Sequence, residues 1–118
     1  MTRATELTME AFRRGITTPA PSTLARYGIT AEEWLEQLAA QGWCCPICEK
    51  TGPAVKWNID HEHVRGWEKM KAGAKKQYWR GILCAYCNYR RVHSSNSAAI
   101  AQRIVDYVRR YEERRDAA

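Results

Sequence analysis

The chain has 118 residues, enough for one small domain that buries only part of its apolar surface and would gain from a covalent or metal staple. Its net charge is +6, and no stretch approaches the ~20 apolar residues needed to span a bilayer, so a membrane enters at most as a surface. Five cysteines, behind an N-terminus that mixes Thr, Arg and Glu where a secretory leader would be apolar, argue against export and for a reducing, cytoplasmic setting.

Residues 1–21 are read as an N-terminal arm, of low order or a short helix with Leu7, Met9 and Phe12 partly buried. It is broken by the Gly15 to Pro21 stretch. Residues 22–118 are read as the domain proper. Thr30-Ala31-Glu32-Glu33 is a capping-box signature, followed by Trp34, Leu35 and Leu38 at helical spacing and closed by Gly42. That helix delivers the chain to Cys45-Pro46-Ile47-Cys48, after which Gly52-Pro53 turns it. Val55, Trp57 and Ile59 alternate with Lys56 and Asn58, predicting a strand that runs into Asp60 and His61, with room for a two-stranded ribbon. Gly81-Ile82-Leu83 leads into Cys84-Ala85-Tyr86-Cys87, and a helical turn carries Cys87, Asn88 and Arg91. The longest helix opens at a Ser94 to Ser97 cap and sets Ile100, Ile104, Tyr107, Val108 and Tyr111 on one face, with arginines on the other. Several helices and little strand predict an α+β fold.

The two C-x-x-C pairs bracket Asp60-His61-Glu62-His63. Each pair offers two thiolates from one tight turn, and together they supply the four soft ligands of a tetrahedral structural zinc at Cys45, Cys48, Cys84 and Cys87. Cys44 leaves the register of the first pair formally open; the spacing favours Cys45 and makes Cys44 a buried spare thiol. Asp60, His61 and Asn88 are poor partners for a zinc that already has four thiolates. Their donor atoms suit a second, harder ion.

Charge placement is more informative than net charge. Between Arg65 and Arg91 the basic residues Arg65, Lys69, Lys71, Lys75, Lys76, Arg80, Arg90 and Arg91 face Glu68 alone. With Trp67, Tyr78 and Trp79 interleaved, this block reads as a track for a polyanion, DNA foremost; the plainer alternative is a solvated charged face. Phosphodiester hydrolysis needs a base for the attacking water and a cation for the charge on the departing 3′ oxygen. His61, with an imidazole pKa of about 6.5, suits the first need, and Asp60 with Asn88 could hold Mg²⁺ or Mn²⁺ for the second. His63 would contact phosphate, and His93 is read as a surface or capping residue.

In order and spacing, Tyr27-Gly28-Ile29-Thr30, Gln41-Gly42 before Cys45-x-x-Cys48, Asp60-His61-Glu62-His63, and Arg80-Gly81-Ile82-Leu83-Cys84-x-x-Cys87-Asn88 resemble the recombination endonuclease VII family of phage HNH nucleases. The resemblance covers about residues 27–107. It implies a small zinc-stapled ββα-metal (HNH) domain flanked by helices, encoded by a phage and acting in the cytoplasm of its bacterial host. It also implies a divalent-metal-dependent DNA endonuclease with His61 as general base, Asp60 and Asn88 on the catalytic ion, and His63 at the scissile phosphate or the leaving group. The best-known member carries an acid three positions after the asparagine; here Arg91 stands there, so a third metal-site acid is either missing or supplied from elsewhere, with Glu62 a candidate. The stretch from His63 to Arg80 is longer and more basic than the family's usual short turn. Phage replication or packaging proteins are the partners to consider beside DNA, and both monomer and homodimer are open. The reading from a different class is a non-catalytic zinc-ribbon module that binds DNA or protein.

Overall fold

The computed structural model describes residues 1–92 and 97–117. Five α-helices and a two-stranded antiparallel ribbon make up the described chain, in the order α1 (Arg3–Arg13), α2 (Pro21–Tyr27), α3 (Ala31–Ala40), β1 (Trp57–His61), α4 (Ala72–Lys76), β2 (Trp79–Cys84) and α5 (Ala98–Ala117). A single 3₁₀ turn covers Trp67–Lys69, and a π-helical turn covers Cys87–Arg91.

Of the two expectations for residues 1–21, the structure has the helix. The Thr2 hydroxyl accepts the Thr5 amide to cap α1. The buried stripe is Leu7 and Ala11, one turn apart, while Met9 and Phe12, expected to be partly buried, face solvent. Leu7, Ala11 and Ile16 are buried in the same cluster as Trp34, Leu35 and Leu38 of α3, so this arm is built into the core. The capping box at Thr30 and Glu33 is formed in both directions.

Helix α2, which has no counterpart in the sequence reading, starts on Pro21 and stops at Gly28, which is left-handed with φ 74°. A Cβ on Gly28 would fall well inside contact distance of the Ala72 carbonyl oxygen at the start of α4. Glycine therefore does two things there: it ends a helix and lets α4 approach α2. Gly28→Ala should cost on the order of 3 kcal/mol, from left-handed strain plus overpacking against backbone; a denaturant midpoint unchanged from wild type would refute it.

The ribbon pairs Trp57 with Cys84, Ile59 with Ile82 and Asp60 with Gly81; Val55, expected in the strand, lies ahead of it. A bulge follows, because His61 pairs with Trp79 and Arg80 is the extra residue. Beyond the end of α3, Gln41 uses its side chain as a further stretch of strand edge: its Oε1 accepts the Ile82 amide at 2.9 Å and its Nε2 donates to the Ile82 carbonyl at 2.8 Å. That accounts for the Gln41 of the sequence motif in physical terms, since both backbone groups of a buried residue are satisfied by one amide. A second cluster holds Cys45, Ile47, Leu83, Cys87 and Tyr107, with Ile100, Ile104 and Val108 of α5 against it. The Ser97 hydroxyl accepts the Ile100 amide at the start of α5; the rest of the expected cap, with His93, lies outside the described residues.

Candidate metal centre and catalytic groove

The four cysteines of the two pairs converge. The Sγ atoms of Cys45, Cys48, Cys84 and Cys87 all lie within 4.8 Å of one another, and Cys48 and Cys84 are 3.6 Å apart. Tetrahedral zinc with Zn–S near 2.3 Å puts sulfurs about 3.8 Å apart, so this set could bind zinc with little adjustment. The first pair sits on a turn closed by the Glu49 amide donating to the Cys45 carbonyl at 2.8 Å, and Glu49 itself is left-handed at φ 65°. The second pair straddles the end of β2 and the π-helical turn, where the Cys87 amide points at the Cys84 sulfur at 3.4 Å. Cys44 stands apart from the cluster, and its thiol donates to the Gln41 carbonyl at 3.2 Å. Burial pushes the Cys45 thiol up to about 11 and raises that of Cys87 as well. A bound cation inverts that cost, since thiolates are then the favoured form.

Asp60 and His61 flank the bulge of the ribbon and line the same groove, but their side chains have different partners. The His61 ring is stacked on Trp67 at 3.9 Å and on His63 at 4.9 Å, with Tyr27 tilted against it at 5.8 Å. Burial, and then the neighbouring His63, lower its pKa below the ordinary imidazole value, which favours the free-base ring. Asp60, His61, His63 and Asn88 line one groove of about 390 Å³, together with Asn58 and Tyr89. The structure thus gathers the four residues that the sequence singles out around one cavity.

The Asp60 carboxylate is also the most heavily bonded side chain of the site. It is 2% exposed; its Oδ2 accepts Arg80 Nε at 2.8 Å and the Tyr107 hydroxyl at 2.6 Å, and its Oδ1 accepts Arg80 Nη2 at 3.0 Å. Burial works against the Arg80 charge, and Asp60 outweighs it, leaving the guanidinium firmly protonated. Two residues along, Glu62 accepts the Tyr111 hydroxyl at 2.6 Å and is ion-paired to Arg115. Four residues of helix rise about 6 Å and two of strand about 6.8 Å, so one turn of α5 matches the Asp60–Glu62 spacing. Tyr107 and Tyr111 read in sequence only as part of an apolar face. The signal available was a pair of hydroxyl-bearing rings one turn apart on a chain that also has acids two apart in a strand.

The basic residues divide. Arg65, Lys69, Lys71 and Arg90 are exposed, on the segments that leave the groove at His63 and at Tyr89. Lys76, expected in the polyanion track, is ion-paired with Glu33, and Lys75 lies over the Trp67 ring at 4.5 Å. Arg80 is half-buried on Asp60, and Arg91 donates to the Cys87 sulfur at 3.5 Å and covers Tyr86. Those side chains are engaged within the fold, which takes them out of a simple charged surface.

The family model for recombination endonuclease VII matches residues 21–110. The chain is 35% identical over 89 residues to the Gene 59 protein of Mycobacterium phage D29, which covers 74% of this chain and 47% of that protein. It is 35% identical over 66 residues to the Gene 59 protein of Mycobacterium phage L5, covering 55% of this chain and 34% of the relative. The chain therefore spans less than half the length of either relative. No solved structure matches it. No described helix is long and apolar enough to cross a membrane.

Proposed function

Because this chain belongs to the recombination endonuclease VII family, we propose that it is a divalent-metal-dependent DNA endonuclease of the HNH type, with His61 as general base and a structural zinc on Cys45, Cys48, Cys84 and Cys87. The observation that carries the proposal is the groove that His61 lines together with Asp60, His63 and Asn88, where burial lowers the pKa of the His61 ring. A zinc-ribbon binder has no need of such a base.

In the reaction His61 takes a proton from water as the water oxygen bonds to phosphorus. The bond to the 3′ oxygen breaks, leaving a 5′ phosphate and a 3′ hydroxyl. His63, exposed and stacked on His61, would meet the phosphate or protonate the departing oxygen. Asp60 and Asn88 offer the hard oxygen donors that fit Mg²⁺ or Mn²⁺; Oδ1 of Asp60 accepts one hydrogen bond from Arg80 and keeps lone-pair capacity. When bound, the ion supplies charge neutralisation at the departing oxygen. Arg80 and Tyr107 hold the Asp60 carboxylate in one orientation throughout.

The proposal is tested by incubating supercoiled plasmid with the protein with and without Mg²⁺ or Mn²⁺. Relaxation that requires the ion supports it, and a gel shift with no relaxation under any ion supports the binder. The exposed Arg65, Lys69 and Lys71 carry a separate expectation. DNA affinity should fall with salt, and changing all three to Gln should flatten the log–log slope by about 0.9 for each phosphate that is no longer neutralised. An unaltered slope would show that this segment does not face the backbone.

A further inference from the structure

The basic stretch after His63 is placed so that it has a use beyond charge. Gly66, left-handed at φ 80°, turns the chain into the 3₁₀ turn whose first residue is Trp67. The indole is 7% exposed and lies on the His61 ring, with centroids 3.9 Å apart and planes 17° from parallel. Its other contacts come from two separate helices. Tyr27 of α2 is tilted against it at 5.4 Å, and the Lys75 ammonium of α4 sits 4.5 Å from its centroid. The buried Nε1–H finds no hydrogen-bond partner among the described residues, so what the indole offers is its face. The His61 imidazole is held by rings, stacked on Trp67 at 3.9 Å and on His63 at 4.9 Å with Tyr27 tilted against it at 5.8 Å.

We infer that Trp67 is a positioning residue for the reaction: stacked between the Lys75 ammonium and the imidazole, it fixes the plane of His61 so that a ring nitrogen faces the attacking water. This rests on the reading of His61 as general base. A base that is free to rotate about its side-chain torsions spends much of its time aimed away from the water, and loss of alignment costs rate without costing affinity. His63 also stacks on the imidazole, at 4.9 Å, while Trp67 stacks closer, at 3.9 Å, and is itself anchored from α2 and α4. The Gly28 approach to Ala72 is what brings those two helices together.

The experiment compares full-length, zinc-loaded wild type with Trp67→Leu, Trp67→Phe, His61→Ala and the double variant His61→Ala/Trp67→Leu, in plasmid nicking and in histidine-ring NMR. Trp67→Leu should lose the upfield ring-current shift of the His61 carbon-bound protons. Its kcat should fall about 10-fold to 10²-fold with KM for DNA unchanged, and Trp67→Phe, which keeps an aromatic face, should retain most of the rate. The double variant should nick no more slowly than His61→Ala alone, because Trp67 acts only through that ring. A folded Trp67→Leu with wild-type kcat overturns the inference, as does a double variant much slower than His61→Ala. If Trp67→Leu does not fold, Trp67→Phe decides: loss of the ring-current shift with full activity overturns it. Wild-type nicking by His61→Ala would instead remove the general-base reading itself, which separates the two failures.

Discussion

Cys87→Ser should abolish the folded state under conditions where the wild type is fully folded. Cys87 is fully buried, closes the second turn and lies within 4.8 Å of the other three sulfurs. Structural zinc in sites of this kind supplies on the order of 10 kcal/mol or more toward folding. Small domains have only about 5–15 kcal/mol of stability in total, so losing even a large part of that contribution leaves the apo form below the folding threshold. The ribbon depends on it directly, because Trp57 pairs with Cys84 and the first turn hangs from Cys45. A strong chelator should produce the same loss of circular dichroism in the wild type, reversed by added zinc. Cys44→Ser is the control: its hydroxyl can take over the bond to the Gln41 carbonyl, so stability should change little. Native mass spectrometry that finds one zinc in wild type and none in unfolded Cys87→Ser supports the assignment. A folded, metal-free wild type defeats it.

What sequence could and could not show follows from the range of the interactions. The capping box at Thr30 and the two C-x-x-C turns are local patterns that the structure forms at those residues, and the alternation into Asp60 marks a strand that opens at Trp57 rather than at Val55. The buried face of α1 was not legible, because Leu7, Met9, Ala11 and Phe12 offer two competing stripes and only packing on α3 selects Leu7 with Ala11. Helix α2 is seven residues long, too short for a periodic signal, and the close approach that bars a side chain at Gly28 comes from a carbonyl 44 positions away in sequence. Charge read along the chain overstates the free basic surface for the same reason. Lys76 finds Glu33 on α3, and Arg80, the extra residue at the bulge of β2, finds Asp60 across the ribbon. Residue types at the groove were readable, whereas the stack of Trp67 on His61 and the hydroxyl of Tyr107 on Asp60 depend on elements brought together from far along the chain.

His61→Ala should leave zinc content, fold and DNA affinity close to wild type while cutting the nicking rate by roughly 10²-fold or more, the usual reach of a positioned base. Affinity survives because the exposed Arg65, Lys69, Lys71 and Arg90 are untouched. Asn88→Ala should act differently: it removes an oxygen donor and leaves the base, so half-activation moves to higher Mg²⁺ or Mn²⁺ while saturating ion restores much of the rate. The pH profile gives a third, independent sign. Burial and His63 hold the His61 pKa below the ordinary 6.5, so the free-base form persists as pH falls through that value, and a nearby divalent cation shifts it the same way. The acid limb of the wild-type profile should therefore lie below pH 6.5, and in His61→Ala the residual rate should lose that limb. Metal titrations and pH profiles of nicking, run with a gel-shift control for each variant, read all three effects. Near wild-type nicking by His61→Ala would take the catalytic role away from this residue, and with it the feature that separates a nuclease from a zinc-ribbon binder.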